Sequence, residues 1–249
     1  MLDACSPVRP AAMTFRLALF DIAGTTVSDP GFVAQAFVGA MSAAGHPIDH
    51  EACRPLMGYP KPLAIARLLL AQADDPRIAP IHADFVQRML VCYREWPGIE
   101  PLPGAESVFA VLRANGIQVA LNTGFSRDIA DAIVERLQWS RRIDALIASD
   151  EVTQGRPAPD MIHALMQRLR IDDPAQVVKI GDTEVDIGEG RAAQVGLVVA
   201  VTTGAFTRAE LEPYAPDRII DGLFELPALL GLDVSDLDQS TRDTRHAAA

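Results

Sequence analysis

Short apolar runs alternate with segments of helical periodicity along most of this chain, and this alternation constrains the fold more than any other feature. After Leu102-Pro-Gly104 the predicted strands cover residues 118–121, 145–148, 177–180, 198–201 and 218–220. The helices predicted between and after them cover 105–113, 126–137, 160–169, 187–194 and 226–230. Strands and helices that alternate in this way form right-handed crossover units of one sheet. The sequence therefore predicts an α/β fold with a doubly wound, Rossmann-like parallel sheet.

The first strand of that sheet ends in a carboxylate. The apolar run from Phe15 to Phe20 is followed directly by Asp21 and then by the turn Gly24-Thr-Thr-Val27. Such an apolar run is typical of a strand covered on both faces, and the carboxyl ends of these strands are where open α/β sheets bind their ligands. Taken alone, Asp21 is compatible with a helix cap, a metal ligand or a nucleophile that forms an acyl phosphate.

A helical segment interrupts the alternation after Val27. Ser28-Asp-Pro-Gly31 breaks the pattern, and the helices predicted from there to Trp96-Pro-Gly98 cover 33–44, 51–56, 63–73 and a fourth with Ile81, Phe85, Met89 and Cys92 on one face. We expect a helical cap domain, residues 31–99, inserted into an α/β core of residues 14–30 and 100–232. The polar ends, residues 1–13 and 233–249, are expected to be flexible tails.

Composition excludes several classes of protein. The net charge of -11 argues against nucleic acid, which is bound by basic surfaces. Cys5, Cys53 and Cys92 show neither metal-site nor disulfide spacing, which favours reduced thiols and a cytoplasmic location. No run reaches the roughly 18 apolar residues of a membrane span, and the N-terminus does not resemble a signal peptide. We expect no membrane and no nucleic-acid partner; a homodimer is compatible with the sequence.

Two later segments carry groups suited to phosphate. Thr123 and Gly124 follow a predicted strand and precede a predicted helix, where a hydroxyl and backbone N–H groups can bind phosphate. An ordinary helix cap is the alternative. Arg156 lies in a proline-rich loop, where a permanent cation can neutralise a phosphoryl group and hold an attacking carboxylate in line. A lone arginine in such a loop is also typical of an exposed surface.

Two carboxylates follow the strand predicted at 177–180. We expect Asp182 at the strand end and Asp186 in the following turn, both close to Asp21. Three converging carboxylates without paired cations would repel one another, and a hard divalent cation would relieve that repulsion. Mg²⁺, bound by Asp21, the carbonyl of Ala23 and Asp182, fits this requirement. The alternative for the Asp182–Asp186 spacing alone is a capped turn.

Together these motifs resemble the haloacid dehalogenase superfamily of phosphotransferases, and the resemblance covers about residues 15–230. It implies that Asp21 is the nucleophile and that Asp182 with Asp186 holds Mg²⁺. It also implies a phosphate-binding set made of Ile22, Ala23, Thr123, Gly124 and Arg156. The helical insertion matches the mobile cap that this superfamily places after the first motif, which closes over the substrate and excludes water.

The segment Asp21-Ile-Ala23-Gly-Thr-Thr-Val resembles the phosphonatase-like branch of the superfamily, since most other members carry a second Asp at the position of Ala23. Met57-Gly58-Tyr-Pro-Lys61 resembles the segment from which that branch extends a Schiff-base lysine, and the resemblance implies that Met57 and Gly58 help to bind the substrate. The resemblance implies that Lys61 forms an imine, which would be the electron sink for cleavage of a C–P bond. A lysine that begins a helix is otherwise typical of a solvated surface charge.

The chain departs from the phosphonatase pattern at three places. Ala64 stands where that branch has a histidine, Phe125 stands where it has a tyrosine, and there is no cysteine near Gly31. These differences remove groups that would transfer protons during imine formation.

Three functions follow as hypotheses. The first is a Mg²⁺-dependent hydrolase that passes a phosphoryl group from a small organophosphonate or phosphate ester to Asp21 and then to water. The second is a P–O phosphatase resembling phosphoglycolate phosphatase, in which Lys61 only binds an anionic group. Ala23 counts against this second hypothesis, because no carboxylic acid there protonates the leaving oxygen. The third is a non-catalytic phosphate-binding module, which the intact Asp21, Arg156 and Asp182 disfavour.

Overall fold

A six-stranded parallel sheet forms the centre of the computed structural model, which describes residues 14–232. The strands are β1 Leu17–Phe20, β2 Gln118–Thr123, β3 Ala145–Ala148, β4 Val177–Gly181, β5 Leu197–Val201 and β6 Arg218–Ile220. They lie in the order β3-β2-β1-β4-β5-β6, and every pair is parallel. The predicted doubly wound α/β fold is confirmed. The predicted tails, 1–13 and 233–249, lie outside the described residues.

The described residues form ten α-helices, and those that follow residue 104 cover both faces of this sheet. Their bounds are α1 Phe32–Ala43, α2 His50–Cys53, α3 Lys61–Leu68, α4 Ile78–Glu95, α5 Ala105–Ala114, α6 Arg127–Arg136, α7 Asp160–Leu169, α8 Glu184–Ala192, α9 Arg208–Leu211 and α10 Leu226–Leu229. Alternate side chains of β1 pack on opposite faces of the sheet. Phe20 packs edge-to-face on Phe109 of α5, with 5.3 Å between ring centroids. Leu19 packs in a second cluster with Ile162 of α7 and Ile187 of α8.

The segment between β1 and α5 folds as helices α1 to α4. Helix α4 packs against α1, α3 and α6, and the rings of Phe37 and Phe85 meet between α1 and α4 at a centroid distance of 4.6 Å. Within the part of the chain that the structure describes, no helix has the length and apolar character needed to cross a membrane. Cys53 and Cys92 are free thiols, and burial raises the pKa of each to about 11.

Three predicted helix bounds were wrong. The helix predicted over 63–73 begins at Lys61 and ends at Leu68, because Leu70 takes a left-handed conformation at φ 51°. The helix predicted over 51–56 is the short α2 followed by a 3₁₀ turn over 54–56, since Pro55 has no N–H to donate. The helix predicted at 187 begins at Glu184, so Asp186 lies in the first turn of α8 and not in a preceding turn.

Sheet order and register bring the predicted motifs to one edge. Phe20 pairs with Leu121 of β2 and Ile180 of β4, so the residues that follow these three strands lie side by side. The connections run in opposite directions from β1, towards β3 on one side and β6 on the other. Open α/β sheets bind ligands at the crevice that this reversal creates.

Candidate active site

A cavity of about 280 Å³ lies between the carboxyl edge of the sheet and helices α1 to α3. Eight of the predicted site residues border it, namely Asp21, Ala23, Met57, Gly58, Lys61, Thr123, Gly124 and Asp182. The cavity is also bordered by residues that the sequence did not single out, among them Asp29, His50, Glu51, Arg54 and Thr183. Ile22, Arg156 and Asp186 are fully buried next to these groups but do not border the cavity.

The side chains of Asp21, Asp182 and Asp186 converge as predicted. One carboxylate oxygen from each lies within 4.8 Å of the others. Asp182 accepts hydrogen bonds from the Thr25 hydroxyl and the Ala205 N–H, each at 2.9 Å. Burial, with the charges of Asp21 and Asp186, raises the pKa of Asp182 to about 8. A cation bound beside Asp182 would therefore stabilise its ionised form.

The expectation that these carboxylates lack paired cations was wrong. Arg156 Nη1 lies 2.6 Å from Asp21 Oδ1 and 2.9 Å from Asp186 Oδ1. Lys179 Nζ lies 2.9 Å from the same Asp186 oxygen. Burial opposes ionisation of Asp186, but Arg156 and Lys179 outweigh it and lower the pKa of that carboxyl. For Asp21, burial outweighs the attraction of Arg156, and the pKa is raised.

Behind the two cations lie Asn122 and Glu189, which sequence reasoning missed together with Lys179. Glu189 Oε2 is 3.2 Å from Arg156 Nε and 3.1 Å from Lys179 Nζ. Asn122 donates to both Glu189 oxygens and accepts from Arg156 and Lys179 through its side-chain oxygen. A lysine inside an apolar strand and a glutamate three residues after Asp186 were the clues in the sequence, because neither charge stays buried without partners.

The net charge of this buried cluster is suited to binding a divalent cation. Four carboxylates, Asp21, Asp182, Asp186 and Glu189, face two cations, Arg156 and Lys179, which gives a formal charge of -2 when all are ionised. One divalent ion would neutralise it, and carboxylate oxygens are the ligands that hard cations prefer. The residues present therefore fit a metal, held between Asp21, Asp182 and Asp186.

Lys61 faces the cavity from the first position of α3. Its side chain is 3 % exposed, and Nζ donates a hydrogen bond of 3.2 Å to the Tyr59 carbonyl. The ring centroid of Phe125 lies 4.9 Å from Nζ and that of Phe37 lies 5.6 Å away. Burial lowers the pKa of Lys61 to about 8, although the charge of Asp21 acts in the opposite direction. The amine is therefore partly neutral near pH 7.

The loop before Lys61 rests directly on the phosphate-binding candidates. Gly58 has a φ of 80°, and a Cβ at Gly124 would lie 2.5 Å from the Gly58 carbonyl oxygen and 2.6 Å from that of Tyr59. Only a residue without a side chain allows this approach at Gly124. Thr123 is the last residue of β2, and its Oγ1 accepts the Phe125 N–H at 3.2 Å, while α6 begins at Arg127.

Comparison with known proteins agrees with this geometry. Residues 15–194 match the family model of haloacid dehalogenase-like hydrolases. The chain is 30% identical over 257 residues to a phosphonoacetaldehyde hydrolase from Bacteroides fragilis. The aligned region covers 88% of this chain and 97% of the relative. It is 29% identical to a protein named "Probable phosphatase IndB" from Dickeya dadantii, over 84% of this chain and 91% of that protein.

A solved structure has the same fold. The phosphonoacetaldehyde hydrolase-like protein from Oleispira antarctica superposes with a TM-score of 0.78 at 21% identity, covering 93% of this chain and 95% of that one. The family match shows the class of protein: this chain belongs to the haloacid dehalogenase-like hydrolases. The convergence of Asp21, Asp182 and Asp186 at the carboxyl edge of the sheet agrees with that class. Within that family, it is similar in sequence to proteins named phosphonoacetaldehyde hydrolase and to a protein named as a phosphatase.

Binding of a divalent cation should stabilise this fold. With Mg²⁺ as the probe, the gain in unfolding free energy should be about 2.7 kcal/mol at a hundredfold excess over the dissociation constant. Asp182→Asn removes a ligand and one negative charge, so the rise in Tm with Mg²⁺ should largely vanish. Asp131→Asn, an exposed change on α6 that leaves the cluster untouched, should keep the full rise. A wild-type Tm that is identical in Mg²⁺ and in chelator would contradict the metal site.

Proposed function

We propose that this chain is a Mg²⁺-dependent, phosphonatase-like hydrolase that acts on a small organophosphonate carrying an aldehyde. The observation that carries the proposal is the buried amine of Lys61, with its pKa lowered to about 8, in the same cavity as Asp21. At pH 7 about a tenth of such an amine is neutral, against well under a thousandth for an ordinary lysine with a pKa of about 10.4.

Asp21 is the proposed nucleophile. Arg156 holds Oδ1 at 2.6 Å, which leaves Oδ2 as the oxygen that attacks phosphorus. The attack forms an O–P bond and breaks the bond between phosphorus and the leaving atom. Water then attacks the same phosphorus, which releases phosphate and restores the carboxylate. When bound, Mg²⁺ supplies the charge that lets an anionic phosphoryl group approach this acidic cluster.

Thr123 and Gly124 are the proposed contacts for the phosphoryl oxygens, together with the backbone at Ile22 and Ala23. The first two border the cavity at the end of β2, beside the cluster. Arg156 is buried behind Asp21 and makes its ion pairs with carboxylates. We therefore assign Arg156 to orienting Asp21, where it acts on the phosphoryl group through the nucleophile.

Lys61 is the proposed electron sink. Its neutral amine adds to the substrate aldehyde, the hydroxyl of the adduct takes up a proton, and loss of water leaves a protonated imine. When the C–P bond breaks, its electron pair moves into the imine and an enamine forms. The enamine then takes a proton on carbon, and hydrolysis of the resulting imine releases the aldehyde and Lys61. Ala23 is consistent with this chemistry, since the leaving group is a carbon and no alkoxide needs a proton.

The alternative is a P–O phosphatase in which Lys61 binds an anionic part of the substrate through charge alone. Ala64 and Phe125, which replace groups of the phosphonatase pattern, favour this alternative, as does the similarity to a protein named as a phosphatase. The two enzymes differ in what they demand of Lys61. An imine needs a primary amine, whereas charge binding needs only a cation.

Substitution of Lys61 separates the two functions. For the phosphonatase, borohydride with phosphonoacetaldehyde should inactivate the wild type and add mass at Lys61, with a trapping rate that rises with pH through about 8. Lys61→Arg should be inactive, because a guanidinium does not form the imine. The phosphatase predicts no trapping, brisk hydrolysis of a simple phosphate ester, and a Lys61→Arg variant changed mainly in KM. The measurements are phosphate release and intact-protein mass.

We also propose that residues 31–99 form a cap that moves on the core formed by 14–30 and 100–232. The two connections run side by side, since Ser28 N–H donates to the Glu100 carbonyl at 3.1 Å and Leu102 N–H donates to that of Thr26 at 2.8 Å. Two adjacent connections of this kind allow rotation about one hinge. In the closed form the loop at Gly58 covers Thr123 and Gly124, which excludes water from the reacting atoms.

Gly124→Ala should hold the cap open. Its Cβ would meet two carbonyl oxygens of the cap loop at 2.5 and 2.6 Å, so the loop must move away. We expect a Tm close to that of the wild type, a strongly reduced kcat, and a radius of gyration that no longer falls when Mg²⁺ and a phosphate analogue are added. A variant with normal turnover and the wild-type scattering response would count against cap closure at this contact.

The unpaired thiols of Cys53 and Cys92 support a cytoplasmic location, because an oxidising compartment favours paired cysteines. The substrate is taken to be a small anion, with no nucleic acid or membrane as partner, and a homodimer is compatible with the chain.

A further inference from the structure

Formation of an imine at Lys61 requires a nearby group that gives and takes protons. Ala23 offers none, and Asp21 and Asp182 belong to the carboxylate cluster that is proposed to bind the metal and the phosphoryl group. Among the other residues that border the cavity, His50 and Glu51 are exposed. Asp29 is the remaining carboxyl group, and it is partly buried.

The hydrogen bonds of Asp29 use its two oxygens unequally. Oδ1 accepts the N–H groups of Gly31 at 3.1 Å, Phe32 at 2.6 Å and Val33 at 3.4 Å, which caps the start of α1. Within residues 14–232, no hydrogen bond to Oδ2 is found. A protonated carboxyl still accepts through Oδ1 while Oδ2 carries the proton. Asp29 can therefore exchange a proton without releasing the helix.

The surroundings of Asp29 connect it with Lys61. Asp29 borders the same cavity as Lys61, and its charge acts on Lys61 together with those of Asp21 and Asp182 of the carboxylate cluster. On α4, burial and the negative charge of Asp29 raise the pKa of Cys92 and of Tyr93. The Tyr93 hydroxyl is buried and has no hydrogen-bond partner among residues 14–232, so it adds a neutral donor on that side. Burial also raises the pKa of Asp29, in the direction that favours a proton donor.

We infer that Asp29 is the acid–base catalyst for imine formation at Lys61, with Oδ2 as the atom that carries the proton. After Lys61 adds to the aldehyde, Oδ2–H protonates the hydroxyl of the adduct, the C–O bond breaks, and water leaves. The nitrogen lone pair forms the C=N bond, and Asp29 remains as a carboxylate. It regains its proton when water hydrolyses the imine of the product. The inference rests on the proposed imine chemistry and supplies the proton transfer that this chemistry needs.

Asp29→Asn tests this assignment, because the amide oxygen still caps α1 while the group no longer transfers a proton. The expected result is a Tm like that of the wild type, a rate of borohydride trapping at Lys61 with phosphonoacetaldehyde reduced by about 10²-fold, and kcat reduced with little change in KM. Formate should partly restore trapping in Asp29→Ala, where the carboxyl is deleted. Asp49→Asn, at the exposed cap of α2, is the matched control and should trap at the wild-type rate.

The outcomes separate this inference from the proposed function. A wild type that traps normally beside an Asp29→Asn variant that traps equally fast overturns the role of Asp29 alone. Slow trapping in Asp29→Asn with a lowered Tm and no formate rescue of Asp29→Ala assigns Asp29 to the helix cap only, and also overturns it. A wild type that traps nothing overturns both the imine chemistry and Asp29.

Discussion

The buried cluster formed by Asp21, Asp182, Asp186, Glu189, Arg156 and Lys179 is the interaction on which the rest of this structure depends. Removing an ion from water costs several kcal/mol even after relaxation, so each of these charges requires compensation at close range. Arg156 provides it for Asp21 and Asp186, and Lys179 for Asp186 and Glu189. The cluster keeps a formal charge of -2 at the edge that faces the cavity. A divalent ion and a phosphoryl group would meet Asp21 at this edge.

This arrangement divides the cavity into two chemical halves. The sheet edge supplies carboxylates, Thr123 and Gly124, all suited to phosphate and metal. Helix α3 supplies Lys61 near the rings of Phe37 and Phe125, in surroundings that lower the pKa of its amine. The loop at Gly58 connects the halves, since its carbonyl lies directly over Gly124. A substrate that reacts at both ends, at phosphorus and at a carbonyl, fits such a division better than one that reacts at phosphorus only.

Part of this site could be predicted from the strand ends, whereas Met57, Gly58 and Lys61 were singled out through a resemblance to a family motif. Asp21 and Asp182 directly follow β1 and β4, and Thr123 ends β2, so parallel pairing was enough to bring them together. Lys179 and Glu189 were missed because they pair with each other between β4 and α8, and a buried ion pair leaves no local periodicity. The early end of α3 was also missed, since the left-handed Leu70 that ends the helix is not a glycine. Arg156 was expected both to contact the phosphoryl group and to hold the attacking carboxylate, and the structure places it against the carboxylate of Asp21, away from the cavity.

The central claim is that the phosphoryl group passes through Asp21, and trapping the covalent intermediate tests it most directly. The enzyme would be mixed with ³²P-labelled phosphonoacetaldehyde and Mg²⁺, quenched in acid during turnover, and digested. Our account predicts label on the single peptide that contains Asp21, released by hydroxylamine as expected for an acyl phosphate, and absent from Asp21→Asn. Brisk phosphate release with no protein-bound label at any quench time, or label on another residue, would contradict it.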